Sequence, residues 1–312
     1  MSNYTEDNET IEIDLHLDEL IRKGHNGTIK NTDFIATWCN MVLVVASRIE
    51  YIVLSSEHTK VGYNKDEAVI YGLLVRLFKL LCFQRRLVCN QIMTTSVAAF
   101  FERMILEEVI NLEYFIENYD RKLLNDFRLN SLKPETFFEE AIVGDINENA
   151  GQSTAWQERL LKSIHATYEK ASSSYEEVRS SKVRLPSISE KFRATGNKRL
   201  YDISYRTKCH DIHGDWVDLT QNYLSYSHEN NTFTPNFQEF QADLRQLNPI
   251  LIICCDMLQK FIKDFPGHEL PHSLYDEIEE DQRVIFFLDK MHFNFLNKQD
   301  LLDGIDDSFY EI

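Results

Sequence analysis

Chain breakers are scarce in this sequence: 312 residues contain only 10 glycines and 6 prolines. That scarcity excludes a turn-rich β architecture and favours long helices. The 6 cysteines (Cys39, Cys82, Cys89, Cys209, Cys254, Cys255) form no Cys-x-x-Cys pair and no framework spacing. A disulfide scaffold and a structural zinc site therefore have no support, and a reduced, cytoplasmic setting fits best. Positive charge is short as well, with 33 Lys and Arg against 50 Asp and Glu and a net charge of -17. Such a chain as a whole repels nucleic acid, so any contact with nucleic acid must be local. The apolar runs Met41 to Ala46 and Leu251 to Cys255 are too short to span a bilayer, and Met1 to Glu12 lacks the basic and apolar regions of a secretory signal. No membrane partner is expected. The strings of a phosphate-binding glycine loop, of GxGxxG, of GxSxG and of HExxH are missing. Nucleotide hydrolysis, dinucleotide chemistry, serine-hydrolase chemistry and a helix-borne zinc protease site are thereby unsupported, and no cofactor is implied.

What is present is apolar mass. Hydrophobic residues make up 43% of the chain, including 20 Phe and 14 Tyr, enough for a substantial core. The spacing of Phe34, Trp38, Met41, Val45 and Ile49 predicts a helix from about Asn31 to Ser56. Asn64, followed by Asp66 and Glu67, reads as the cap of a helical stretch reaching Asn118 and broken near Asn90 to Ser96. Tyr119 to Pro134 reads as a short helix and loop, Gly144 to Ser153 as a loop, and Thr154 to Arg179 as a polar helix. Further helices are expected over 199–225, 237–265 and 273–296, with a loop at His228 to Asn236. The fold class is all-α, a bundle of long helices. It divides into an acidic N-terminal arm (1–30) in which Ile11, Ile13, Leu15 and Leu17 alternate, a bundle domain (31–265), and a C-terminal helix with an acidic tail (266–312).

The stretch Arg199 to Trp216 carries two neighbouring stripes. Tyr201, Tyr205, Cys209, Ile212 and Trp216 make an apolar face at helical spacing, and Arg199, Asp202, Arg206, His210 and His213 run beside it. On one continuous helix Arg206 and His213 differ by about 20° in phase, and His210 is offset by about 40° on the other side. An arginine and a histidine fixed on one face are suited to a phosphodiester, because one meets phosphate charge and the other moves protons near neutral pH. The alternative is a core-packed helix with an ordinary solvated face. A metal site built from Asp202, His210, Asp211 and His213 lacks the Glu-x-x-His pairs of di-metal bundles, so no metal is expected. Lys182 to Lys208 is the one basic segment, holding Lys198, Arg199 and Arg193 among its cations. It is either a solvated surface or a track for an RNA backbone whose binding weakens with salt. Tyr205 either packs or stacks on a base. Arg103 and Glu107, four apart, form either an intrahelical ion pair or a polar face that meets the 199–213 helix, with Glu107 orienting Arg206 or a histidine.

Arg206-x6-His213 resembles the motif of HEPN-type proteins, a helical superfamily rich in metal-independent ribonucleases. Thr207 stands where an Asn, Asp or His commonly follows the arginine. The resemblance implies RNA as substrate, His213 as acid or base, Arg206 as the clamp on phosphate charge, and a homodimer in which two motifs share a cleft. By the same analogy the protein is a toxin or defence effector, with room for a regulatory protein partner. More broadly, Arg103-Met-Ile-Leu-Glu107 together with Tyr201-x3-Tyr205-Arg206-x6-His213-Gly214 is similar to a mainly bacterial helical family, domain of unknown function 5677, over roughly residues 65 to 225. That family implies a fold and no activity. A non-catalytic helical module that binds RNA or a protein is the other functional class.

Overall fold

The computed structural model describes residues 17–55, 62–213, 215–238, 242–266 and 270–303. The fold is all-α with one small hairpin. Helices α1 (Leu17–His25), α2 (Asn31–Leu54), α3 (Lys65–Cys89), α4 (Thr95–Glu117) and α5 (Arg121–Glu148) come first. Then follow α6 (Ala155–Ala171), α7 (Tyr175–Ser180), α8 (Ile188–Ala194) and the short turn α9 (Lys198–Leu200). A π-helical turn (Tyr201–Tyr205), α10 (Lys208–His213), α11 (Trp216–Asp218) and a second π-helical turn (Leu219–Tyr223) lead into the antiparallel pair β1 (Leu224–Ser227) and β2 (Thr232–Pro235). Finally, α12 (Leu244–Asp264) and α13 (His272–Leu296) complete the chain.

Local chemistry sets the helix starts. The Asn64 side chain accepts the N–H groups of Asp66 and Glu67 while Glu67 reaches back to the Asn64 N–H, a reciprocal cap at the head of α3. Thr154 with Gln157 and Ser187 with Glu190 repeat the device at α6 and α8. Apolar side chains at helical spacing then dictate the packing. Trp38, Val42, Val45 and Ile49 of α2, Leu74, Leu77 and Leu81 of α3, and Leu247, Leu251, Leu258 and Phe261 of α12 are buried in one core shared with α4 and α13. Each such side chain removed from water contributes roughly 1.5–3 kcal/mol. Among the described residues, α2 alone is long and apolar enough to cross a membrane, and most of its apolar stretch is buried in the bundle.

The C-terminal helix α13 lies against α12 and α2 within that same core, and Leu20 of α1 joins it, so these two ends of the described chain are integral to the bundle. The alternation at Ile11 to Leu15 and the tail beyond 303 lie outside the described residues. A second, smaller cluster forms where α5 runs past the bundle: Leu129, Leu132 and Ile142 meet Ile164 and Tyr168 of α6 and Val178 of α7.

Five sequence expectations need correction. The helix of 237–265 starts only at Leu244, where the Asp243 side chain caps it. Tyr119 to Pro134 and the start of Gly144 to Ser153 belong to a single helix, α5, which carries Pro134 inside it; the apolar face that meets α6 and α7 outweighs the breakers. The polar helix of 154–179 is two helices, parted where Ser172 takes the left-handed conformation with φ 51°. His228 to Asn236 is mostly hairpin strand and turn, with Tyr226 paired opposite Phe233. The 199–225 helix is broken into short α and π pieces.

Candidate functional site

The middle of the bundle is unusually polar along one helix. On α4, Ala98, Glu102, Ile105 and Val109 share a face, and all four are buried. Glu108 and Glu113 are buried too. A buried carboxylate needs a partner, and each finds one on a different element. Glu108 pairs with Arg76 of α3, Glu113 accepts from the Asn197 amide at 2.6 Å, and Glu102 pairs with Lys208 of α10 at 2.7 Å. Burial pushes Glu102 up from the usual carboxylate range, against the pull of Lys208. Burial likewise pushes Glu113 up to about 7, with Lys260 and Asn197 working against it.

Between Glu102 and Glu113 the helix grips the segment that carries the motif. Arg103 Nε donates to Glu107 at 3.1 Å, the Tyr205 hydroxyl donates to Glu107, and the Arg103 guanidinium lies over the Tyr205 ring at 4.8 Å. Arg103 also reaches Cys209 Sγ at 3.5 Å. Burial, and then the Glu107 carboxylate, hold the Tyr205 phenol up as a neutral donor. Tyr205 stacks on Tyr201 at 5.4 Å, and Phe192 of α8 sits against both rings. One turn away, the buried Lys191 ammonium donates to Asn111 at 2.7 Å and lies 5.2 Å from the Phe115 ring; burial lowers its pKa. The 187–209 segment is therefore bolted to α4 by polar contacts rather than by apolar packing alone.

The outward side of this segment carries the motif. The Arg206 side chain is 66% exposed, with Asp202 at 4.0 Å, and His213 is exposed. Arg193, Lys198 and Arg199 are exposed as well, Lys198 lying 3.4 Å from Asp202. Lys191 and Lys208, counted with the basic track in the sequence, are turned inward to Asn111 and Glu102.

Several expectations change here. Arg206 and His213 do not sit on one continuous helix. The Arg206 N–H bonds to the Tyr201 carbonyl five residues back, the next bonds (Cys209 to Arg206, His210 to Thr207) span three, and the α-helix restarts at Lys208. A uniform turn angle cannot be carried through such a joint. Among the described residues no hydrogen bond or ion pair joins Arg206 to His213. His210 Nδ1 meets Asp215 at 2.5 Å, which holds Asp215 below the usual carboxylate range. Glu107 orients Tyr205 and Arg103 instead of Arg206 or a histidine. Tyr205 is 3% exposed, so it packs and presents no face to a base. Trp216, expected on the apolar face, is 60% exposed and meets Phe233 of the hairpin at 5.2 Å; Gly214 lies outside the described residues. Among the described residues no three His, Cys, Asp or Glu side chains converge to hold a metal ion.

Sequence reasoning missed Glu102, Glu113 and Asn197, and gave Lys191 and Lys208 to the outer basic track rather than to the buried network. A signal for the first was present: a carboxylate placed inside the apolar spacing Ala98, Ile105, Val109 is a buried carboxylate.

Residues 67–233, from the first turn of α3 to the second strand of the hairpin, match the sequence family described as Family of unknown function (DUF5677). No curated protein and no solved structure matches the chain.

Proposed function

The chain belongs to the DUF5677 family, a family of unknown function, through residues 67–233, and on that premise we propose that it is a metal-independent endoribonuclease of the HEPN kind. The observation that supports this reading is the contrast between the two sides of residues 201–213. Inward, Tyr205, Cys209 and Lys208 are tied to Arg103, Glu107 and Glu102. Outward, Arg206 and His213 are left to solvent. Irregular backbone held by a buried polar network fixes the position of the side chains it displays, which is what a catalytic group requires.

In this reading an RNA 2′-hydroxyl oxygen attacks the adjacent phosphorus while its proton passes to a base. The bond to the 5′-oxygen breaks, and that oxygen takes up a proton. His213 serves as acid or base, and the Arg206 guanidinium leaves Asp202 to meet the charge on the phosphoryl oxygens. Arg193, Lys198 and Arg199 guide the backbone across an otherwise acidic protein. His210, held by Asp215, faces the phosphate from the neighbouring position. Two copies complete the site: exposed Ile203, Trp216, Val217 and Leu219 flank the motif and offer an isologous contact that brings two Arg206–His213 sets together. The biological role as a toxin or defence effector, controlled by a regulatory protein, follows from the same analogy.

The test is purified protein with RNA in excess chelator, beside Arg206→Ala and His213→Ala. Cleavage by the parent chain, lost in both variants with circular dichroism unchanged, supports the reading; light scattering of the parent at micromolar concentration should then give a dimer. Equal cleavage by all three chains, or cleavage abolished by chelator, overturns it. A second reading, a non-catalytic helical module that binds RNA or a protein, is favoured by the lack of any described contact between Arg206 and His213; binding without cleavage would establish it.

A further inference from the structure

Far along the chain from the motif, two cysteines separated by 50 residues meet. Cys89, the last residue of α3, places its Sγ 2.7 Å from Cys39 Sγ on α2. Cys39 is buried, and Cys89 is the one exposed cysteine of the six. The pair opens on a groove of about 490 Å³ lined by Ile35 and Ala36 of α2, by Met93, and by Ala242 and Leu296. Two of these lining residues are joined, the Ala242 N–H donating to the Met93 carbonyl at 2.9 Å. Arg85 donates from Nε to the Cys39 carbonyl at 2.8 Å, placing a cation beside the sulfurs.

We propose that Cys39 and Cys89 form a dithiol site for thiol–disulfide exchange with low-molecular-weight disulfides that reach Cys89 from the groove. Exposure decides the order of events. Cys89 loses its proton to solvent, and its thiolate attacks one sulfur of the incoming disulfide. That S–S bond breaks, one small thiolate leaves and takes a proton, and a mixed disulfide stands on Cys89. The Cys39 thiol, which burial holds in its protonated form in the resting protein, then loses its proton and attacks Cys89 Sγ. The second small thiolate leaves and takes up the proton that Cys39 gives, and a Cys39–Cys89 bond ties α2 to the end of α3. Two protein thiols are oxidised by two electrons, and the small disulfide is reduced to two thiols. The other four cysteines are less accessible: Cys254 and Cys255, adjacent in the chain, are buried, and Cys82 and Cys209 are half-buried.

The experiment incubates the full reduced chain with oxidised glutathione, quenches with an alkylating agent, and maps peptides by mass spectrometry. The expected result is a Cys39–Cys89 peptide pair and the loss of two alkylatable thiols, reversed by excess reduced glutathione. Cys39→Ala should accumulate glutathione on Cys89, and Cys89→Ala should leave Cys39 unmodified. A wild-type chain that keeps glutathione on Cys89 without linking to Cys39, that oxidises at other cysteines first, or that does not react overturns the proposal. The wild-type map decides the matter even if a variant fails to fold. Its outcome is independent of RNA cleavage, since neither cysteine belongs to the 201–213 segment.

Discussion

At the scale of single residues, the bundle holds carboxylates where water is scarce. Glu113 illustrates the consequence for pH. Burial raises its folded-state pKa from 4.5 to about 7. Below about pH 4.5 the side chain is protonated in both states and carries no penalty. As pH rises through the window between 4.5 and about 7 the unfolded chain releases the proton more readily, so the folded state loses stability, and the loss is complete above it. Glu113→Gln should therefore be more stable than the parent at about pH 8, by on the order of 2–3 kcal/mol, and the two should converge at about pH 4. Urea unfolding at both values checks this; a constant difference would contradict it. Tyr205→Phe removes a donor from Glu107, whose side chain is 38% exposed and can turn to water in compensation. The expected cost is about 0.5–1 kcal/mol, read from the shift of the unfolding midpoint. A larger fall in RNA cleavage than this stability loss would mark Tyr205 as a positioning residue for the 206–213 display.

At the scale of elements, the chain is not equally tied together. α4 touches α3, α12, α8 and α10, whereas α6 and α7 pack on α5 through a separate small cluster. Amide hydrogen exchange should therefore show α6 and α7 opening well before α4 and α12; equal protection throughout would contradict the two-cluster description. The same distinction explains what was readable in advance. α2, α3, α4 and α13 announce themselves through apolar residues at helical spacing and through caps such as Asn64, and the break near Asn90 to Ser96 falls where the two long helices part. The interior of α5 is not legible in the sequence because Pro134 and Gly144 are breakers by propensity alone, and only the contact with α6 and α7 shows why the helix continues. The π-helical turns at Tyr201–Tyr205 and Leu219–Tyr223 were invisible for a related reason. A one-dimensional pattern assumes a fixed turn angle, and the joint at Arg206 follows from what Tyr205 and Lys208 must reach on α4. The stripe of Arg103 and Glu107 and the 199–213 segment it meets are legible in the sequence; the side chains it grips there, Tyr205 and Cys209 in place of Arg206 or a histidine, are not.

At the scale of the whole molecule, an acidic chain displays a short basic surface on one irregular segment. With Lys191 and Lys208 turned inward, the cations left outside between 182 and 208 are Lys182, Arg184, Arg193, Lys198, Arg199 and Arg206. His213 and the apolar residues Ile203 and Trp216 are exposed as well. The buried polar network of α4 gives that surface a fixed footing, and the central claim is that the footing serves cleavage of RNA by Arg206 and His213. The most direct measurement is analysis of the ends of RNA cut by the purified protein in excess chelator. The account predicts a cyclic phosphate on one fragment and a free 5′-hydroxyl on the other, with no cutting of an RNA whose 2′-hydroxyl is removed at the scissile position and none by His213→Ala. Fragments bearing 5′-phosphates, or undiminished cutting by His213→Ala, would contradict it.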